Sequence, residues 1–350
     1  MSCSAPGFGR SNEMRISSTA HRPRFLKAAT RDYFPRNAHC SPSPVPELPD
    51  IENYVESIER HIAGQRLEDV RLKSVFLVRT VEPPLPSLAG RRLDRMTRLG
   101  KRLVFHLAGN NDTSYVILHL MIAGRLHWKK KNAGLPGKRG LCAFDFESGT
   151  LLLTEAGRKK RASIHVVTSH DEVDRHDPGG LDVFDIDLAT FTGVLDSNNH
   201  TLKRALTDPR LFSGIGGAYA DEIMHAARVS PIKWTSRLTT DEKRRLYESC
   251  RAVLRLWTDR IRDETGAGWP TVTAFREDMA VHGRYGQPCP ACGSPVQRIV
   301  YASNETNYCP SCQTDGKVLA DRSLSRLLKQ DWPRSLEDLE ERGITGRQVD

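Results

Sequence analysis

Apolar residues change their spacing several times along the chain. After Pro49-Asp50, the residues Ile51, Tyr54, Val55, Ile58 and Ile62 recur at helical spacing, which predicts a helix with Asp50 as its cap. From about residue 66 to 168 the pattern shortens to apolar and β-branched runs, at 70–72, 103–107, 115–120, 141–146 and 151–154. Turn signals such as Gly109-Asn110-Asn111-Asp112 and Glu147-Ser148-Gly149 separate them, so this region reads as a β-sandwich or barrel-like domain with a leading helix. Helical spacing returns from about 183 to 264. Two helices, 202–211 and 218–227, flank the glycine-rich turn Ser213-Gly214-Ile215-Gly216-Gly217. A long amphipathic helix carries Leu246, Cys250, Val253, Leu254, Trp257 and Ile261. Two cysteine pairs follow, and then a polar tail, 317–350, expected to start with a short amphipathic helix. No repeat of solenoid period is present.

Composition changes this picture at one end. The 350 residues carry a formal net charge of +9, which favours an anionic partner such as nucleic acid. No run approaches 18 apolar residues, so a membrane-spanning helix is excluded, and 38% hydrophobic content supports a real core. Residues 1–45 hold seven basic residues against two acidic ones, interrupted by Ser, Pro and Gly, and end in Ser41-Pro42-Ser43-Pro44-Val45. They lack the apolar core of a secretory signal and read as a disordered or mis-assigned upstream extension. Without them the chain carries only +4, so bulk charge is minor support for a nucleic-acid partner.

The cysteines point to chemistry. Cys289-Pro290-Ala291-Cys292 and Cys309-Pro310-Ser311-Cys312 have the spacing C-x2-C-x16-C-x2-C. Each pair forms a knuckle that directs two sulfurs at one ion, and four thiolates complete a tetrahedral zinc site. A closed site leaves no open coordination position, so one structural zinc is expected. Cys142 and Cys250 show no ligand spacing and read as packing residues.

Four motifs in register then give the chain a resemblance. They are Pro46-Glu47-Leu48-Pro49-Asp50, Leu99-Gly100-Lys101-Arg102 before a strand, the turn and helix start from Gly214 to Glu222, and Val281-His282-Gly283-Arg284 leading into the ribbon. Over residues 46 to about 315 the chain resembles the formamidopyrimidine-DNA glycosylase and endonuclease VIII family of base-excision repair enzymes. The resemblance implies that an N-terminal proline amine, at Pro46, attacks the anomeric carbon of a flipped, damaged nucleotide. The base leaves, an iminium links protein to sugar, and elimination cuts the strand. It further implies that Glu47 is the acid/base residue and that Lys101 contacts the sugar-phosphate at the lesion. Lys203, Gly217, Asn304, Ile122, Arg158 and Arg161 fall at DNA-contacting positions.

Four departures from the family's pattern bear on function. Val45 acylates Pro46, and an amide nitrogen is not nucleophilic. The expectation is a chain that begins at Pro46, with Val45 read as the start and removed. Gly217 stands where the family usually has an asparagine holding a phosphate; backbone N–H groups at the following helix start remain for that task. Asn304 stands where the family has a DNA-reading arginine. Ile122 stands where it often has methionine, and the loop Glu155-Ala156-Gly157-Arg158-Lys159-Lys160-Arg161 has no aromatic wedge.

The expected fold class is a multi-domain α+β protein. A β-sandwich with leading helix spans 46–170, a helix-two-turn-helix domain 171–275, a zinc ribbon 276–316 and a tail 317–350. The expected function is a zinc-containing, bifunctional DNA glycosylase and abasic-site lyase acting on oxidised purines. Removal of oxidised pyrimidines and non-catalytic binding of damaged DNA are the alternatives. A sequence-specific zinc-ribbon regulator is a third. The partner expected is double-stranded DNA with oxidised bases or abasic sites, met by a monomer in a bacterial cytoplasm with no membrane contact.

Overall fold

The computed structural model of the chain describes residues 45–157, 159–273, 276–301, 304–320 and 333–341. Arg158, the upstream extension before Val45 and most of the tail fall outside the described residues.

Helix α1 (Leu48–Ile62) begins one turn earlier than its apolar spacing suggests. Its N-cap is Glu47, not Asp50, because Pro49 in the first turn needs no N–H partner and fixes a helical φ. Asp50 instead sits inside the first turn, where its Oδ2 accepts the backbone N–H of Glu47 at 3.1 Å. The other face of α1 buries Ile51, Tyr54, Ile58 and Ile62.

Eight strands follow: β1 (Leu67–Leu72), β2 (Arg92–Leu99), β3 (Arg102–Ala108), β4 (Thr113–His119), β5 (Gly124–Lys129), β6 (Gly140–Phe146), β7 (Thr150–Glu155) and β8 (Ser163–Val167). They form two antiparallel four-stranded sheets, ordered β1-β6-β7-β5 and β2-β3-β4-β8. Leu103, Phe105, Leu107, Val116 and Leu118 from one sheet share a core with Phe144, Phe146, Leu151 and Leu153 from the other. The outer face of β3 and β4 is apolar too, at Val104 and Ile117. It is covered by Val173 of the one-turn helix α2 (His170–Asp174). Cys142 is completely buried among these strands.

The helical part comprises α3 (Leu188–Ser197), α4 (Leu202–Thr207), α5 (Gly217–Ala226) and α6 (Thr240–Thr265). The expected helix over 202–211 stops at Thr207, because Pro209 forces Asp208 into an extended conformation. Thr239 and Glu242 cap α6 reciprocally, and Gly266, at φ 51°, ends it. Leu48, the first residue of α1, packs into the helical core with Phe212, Ile215, Tyr219 and Leu254, while Ile51 onward packs into the sandwich. The start of α1 is therefore clamped between two cores. Side chains tie the same seam: Arg262 of α6 grips both oxygens of Glu56, and Arg98 of β2 reaches Glu52 and Asp182.

The ribbon consists of β9 (Gln297–Tyr301) and β10 (Asn304–Tyr308), with a one-turn helix α7 (Pro310–Gln313). The described tail residues 317–320 are not helical and a short helix occurs at Leu336–Glu341; residues 321–332, where most of the expected opening helix falls, lie outside the described residues. Among the described residues no helix is long and apolar enough to cross a membrane.

Candidate active site

The seam between sandwich and helical core brings together sequence elements almost 170 residues apart. Gly214, at φ 79°, turns the chain under Leu48, whose N–H donates to the Gly214 carbonyl at 3.0 Å. The turn delivers three backbone N–H groups to one carboxylate. Glu47 Oε2 accepts from Gly216 at 2.7 Å and from Tyr219 at 3.3 Å, and Oε1 accepts from Ala218 at 2.9 Å. These donors belong to the start of α5, so the positive end of the helix dipole reinforces the charge of Glu47. A side chain on Gly216 would displace the groups gathered around it. A Cβ there would lie 2.3 Å from Glu47 Cδ and 2.6 Å from Lys101 Nζ. Glu47, Lys101 and the glycine turn are thereby assembled around Gly216, with Pro46 buried next to Glu47.

Beside them lies a cavity of about 260 Å³. The sandwich lines it with Leu99, Lys101, Arg102, His119 and Ile122, the helical part with Thr207, Pro209 and Ser213, and Val45 lines it too. Burial pushes the Lys101 ammonium below the ordinary lysine range, with Glu47 opposing the shift. Burial, with Arg102 and Lys101 close by, lowers His119 to about 4, so its ring is neutral at physiological pH. Ile122 occupies a turn between β4 and β5, not a strand, and is half-buried. Its neighbour Met121 sits at φ 53°, a left-handed conformation costly for a residue with a Cβ. His119, Met121 and Arg102 went unassigned in the sequence; a histidine ending a strand before a turn was the available signal.

The residues expected to contact DNA are placed differently from one another. Gly217 opens α5, and a Cβ there would meet nothing within 4 Å. Asn304 is exposed at the start of β10, and Arg161 is exposed after β7. Buried Glu155 takes the Arg161 backbone N–H on both oxygens and that of Ala162 as well, anchoring the basic loop. Lys203 is engaged inside the protein: its Nζ is 2.7 Å from Asp221 Oδ1 and 2.7 Å from the Glu305 carbonyl.

Asp221 and its neighbour Glu222, both buried on α5, hold the ribbon in place. Glu222 accepts the N–H groups of Ala280, Val281 and His282 at 2.7–2.9 Å. Asp221 Oδ2 takes the Asn307 N–H at 3.1 Å and the His282 Nδ1 at 3.0 Å. Burial disfavours a charged His282, but Asp221 outweighs it and raises the ring above the usual histidine range.

The four cysteine sulfurs lie within 4.8 Å of one another, with Cys292–Cys309 at 3.3 Å and Cys289–Cys312 at 3.9 Å. Tetrahedral zinc with Zn–S bonds near 2.3 Å needs S···S separations of about 3.8 Å, so the donor set fits that ion. Nε2 of His225, on α5, is 3.3 Å from Cys289 Sγ, linking the ribbon to the helical part once more.

Comparison with known proteins agrees with this architecture. Residues 45–162 match the formamidopyrimidine-DNA glycosylase N-terminal domain, 181–263 its H2TH domain, and 286–314 the zinc finger found in FPG and IleRS. The formamidopyrimidine-DNA glycosylase of Thermus thermophilus is 32% identical over 283 residues, 78% of this chain and 100% of that protein. That of Heliobacterium modesticaldum is 30% identical over 280 residues, with 77% and 100% covered. The chain belongs to the formamidopyrimidine-DNA glycosylase family. An uncharacterized formamidopyrimidine-DNA glycosylase-like protein of Mycobacterium tuberculosis is 41% identical over 153 residues, 43% of this chain and 93% of that one. The solved Lactococcus lactis member of the family, in complex with abasic-site DNA, shares the fold. Its TM-score is 0.68 at 24% identity, covering 77% of this chain and 99% of that one.

Proposed function

We propose that this protein is a bifunctional glycosylase and abasic-site lyase that removes oxidised purines from double-stranded DNA. One observation carries the reading: the carboxylate of Glu47, next to Pro46, is held by the α5 helix start while Lys101 stands at the same glycine. In this reading the Pro46 amine attacks the anomeric carbon, Glu47 moves protons at the sugar, and Lys101 binds the phosphate beside the lesion. The neutral His119 ring adds a hydrogen-bonding group to the cavity. The cysteine cluster holds one zinc with no open position, so the ion is structural. Metal content of the purified chain checks that count.

Oxidised purines are preferred because relatives matching over three quarters of the chain are named formamidopyrimidine-DNA glycosylases. The test is single-turnover excision from duplexes carrying an oxidised purine, an oxidised pyrimidine or an abasic site. Faster release of the purine supports the assignment; faster release of the pyrimidine replaces it with the endonuclease VIII type. Tight binding of all three duplexes with no strand cleavage would leave a non-catalytic binder.

Gly217 offers a second, smaller test. Restoring asparagine adds a side-chain donor to a phosphate at a position with free space. Gly217→Asn is expected to tighten abasic-DNA binding by about 1.5–3 kcal/mol, the usual contribution of a hydrogen bond to a charged group. Titration of labelled duplex measures it, and equal or weaker affinity refutes the phosphate role of this position.

A further inference from the structure

Arg276 lies on the connector between α6 and the ribbon, and its side chain is 7% exposed. Its guanidinium reaches Asp50 Oδ1 at 3.3 Å. The other oxygen of Asp50 is the one that accepts the Glu47 backbone N–H. The same guanidinium lies beside the phenol of Tyr219 and interacts with it electrostatically, and the Tyr219 backbone N–H donates to the Glu47 carboxylate. Trp257 of α6 lies beneath it, with its ring centroid 5.9 Å away, and Glu264 of α6 pairs with its Nη1 at 3.0 Å. The two ends of Glu47, its amide and its carboxylate, are thus gripped by residues that share one buried cation.

We propose that Arg276 is a positioning residue for the Pro46–Glu47 dipeptide, acting through Asp50 and Tyr219. The inference rests on the lyase reading above. It also gives the connector a role: the segment leading to the zinc ribbon fixes the catalytic end of the sandwich.

The physical argument is one of charge. Burial raises the Asp50 carboxyl, and Arg276 is the strongest influence holding it down. Asp50 also faces Glu47 and Tyr54 of its own helix, Arg125 of β5 and Tyr219 of α5. Without Arg276, burial and the nearby Glu47 charge push Asp50 toward its protonated form at neutral pH. A neutral acid accepts the Glu47 N–H more weakly than a carboxylate does. Pro46 and Glu47 then lose their fixed geometry, and small misplacements of reacting groups are costly in rate.

The test is borohydride trapping on an abasic-site duplex, using the chain that starts at Pro46, across neutral and alkaline pH. Arg276→Met should trap roughly 10- to 100-fold more slowly at neutral pH. Its affinity for the duplex should stay within about twofold. The deficit should shrink as pH rises and Asp50 ionises, and Arg276→Lys should restore most of the rate. Adding Asp50→Asn to Arg276→Met should abolish the recovery at high pH. An unchanged rate in Arg276→Met, or a loss that neither pH nor Arg276→Lys repairs, overturns the proposal. Should Arg276→Met fail to fold, Asp50→Asn carries the test, and a wild-type rate and pH profile in that variant overturns the proposal. Absence of trapping by the unsubstituted chain overturns the lyase reading as well, whereas normal trapping there with no effect of Arg276 strikes this inference alone.

Discussion

A chain whose first residue is Pro46 should become covalently attached to abasic-site DNA under borohydride, and the same chain with Val45 ahead of it should not. The contrast is expected to be all-or-none. An α-amine with a pKa near 8 is partly unprotonated at neutral pH, whereas a tertiary amide nitrogen has delocalised its lone pair into the carbonyl. Position adds to this effect. Val45 lines the same cavity as Lys101, His119 and Ile122, so the preceding residue stands at the site as well as blocking the nucleophile. Intact-mass measurement before and after trapping decides the matter. Adduct on a chain that still carries Val45 would remove Pro46 as the nucleophile. Failure of the Pro46 chain to trap, while it binds the same duplex, would favour the non-catalytic alternative.

The parts of this site that were legible in sequence are the local ones. Four cysteines in two short pairs announce a metal because chelation happens within a few residues of each knuckle. The strands β3, β4, β6 and β7 stand out because their apolar residues are nearly contiguous, buried on both faces or close to it. Strand β2 was hidden: it places arginines at 92, 95 and 98, buries only Leu93 and Met96, and its register slips between Leu93 and Arg95. Its alternation therefore never reaches the sheet period for long. The grip of α5 on Glu47 spans 169 positions and has no local signature. Arg276 is a single cation in an unpatterned connector, and only its burial against Asp50 sets it apart. Lys203 shows the converse. Its motif position suggested an outward-facing cation, but Asp221 and the Glu305 carbonyl occupy its ammonium in this structure.

Substituting Glu47 by glutamine should slow base excision by about 10²- to 10⁴-fold, the range in which a positioned acid/base group contributes. The geometry explains why the effect is not purely chemical. Both carboxylate oxygens of Glu47 accept backbone N–H groups, from Gly216 and Tyr219 on one side and Ala218 on the other. Glutamine keeps one acceptor and turns an amide NH2 toward the remaining donors, so at least one helix-start N–H loses its partner. The loss of charge also removes a favourable interaction with the α5 dipole. Stability should fall by about 1–3 kcal/mol, the cost of leaving a buried donor unsatisfied. The two consequences separate experimentally, because thermal melting reports the cap and single-turnover excision on folded protein reports the chemistry. Glu47→Asp preserves the charge on a shorter arm and tests reach alone. Full excision activity in Glu47→Gln would end the acid/base assignment, leaving Glu47 as the residue that fastens the helical turn to the sandwich.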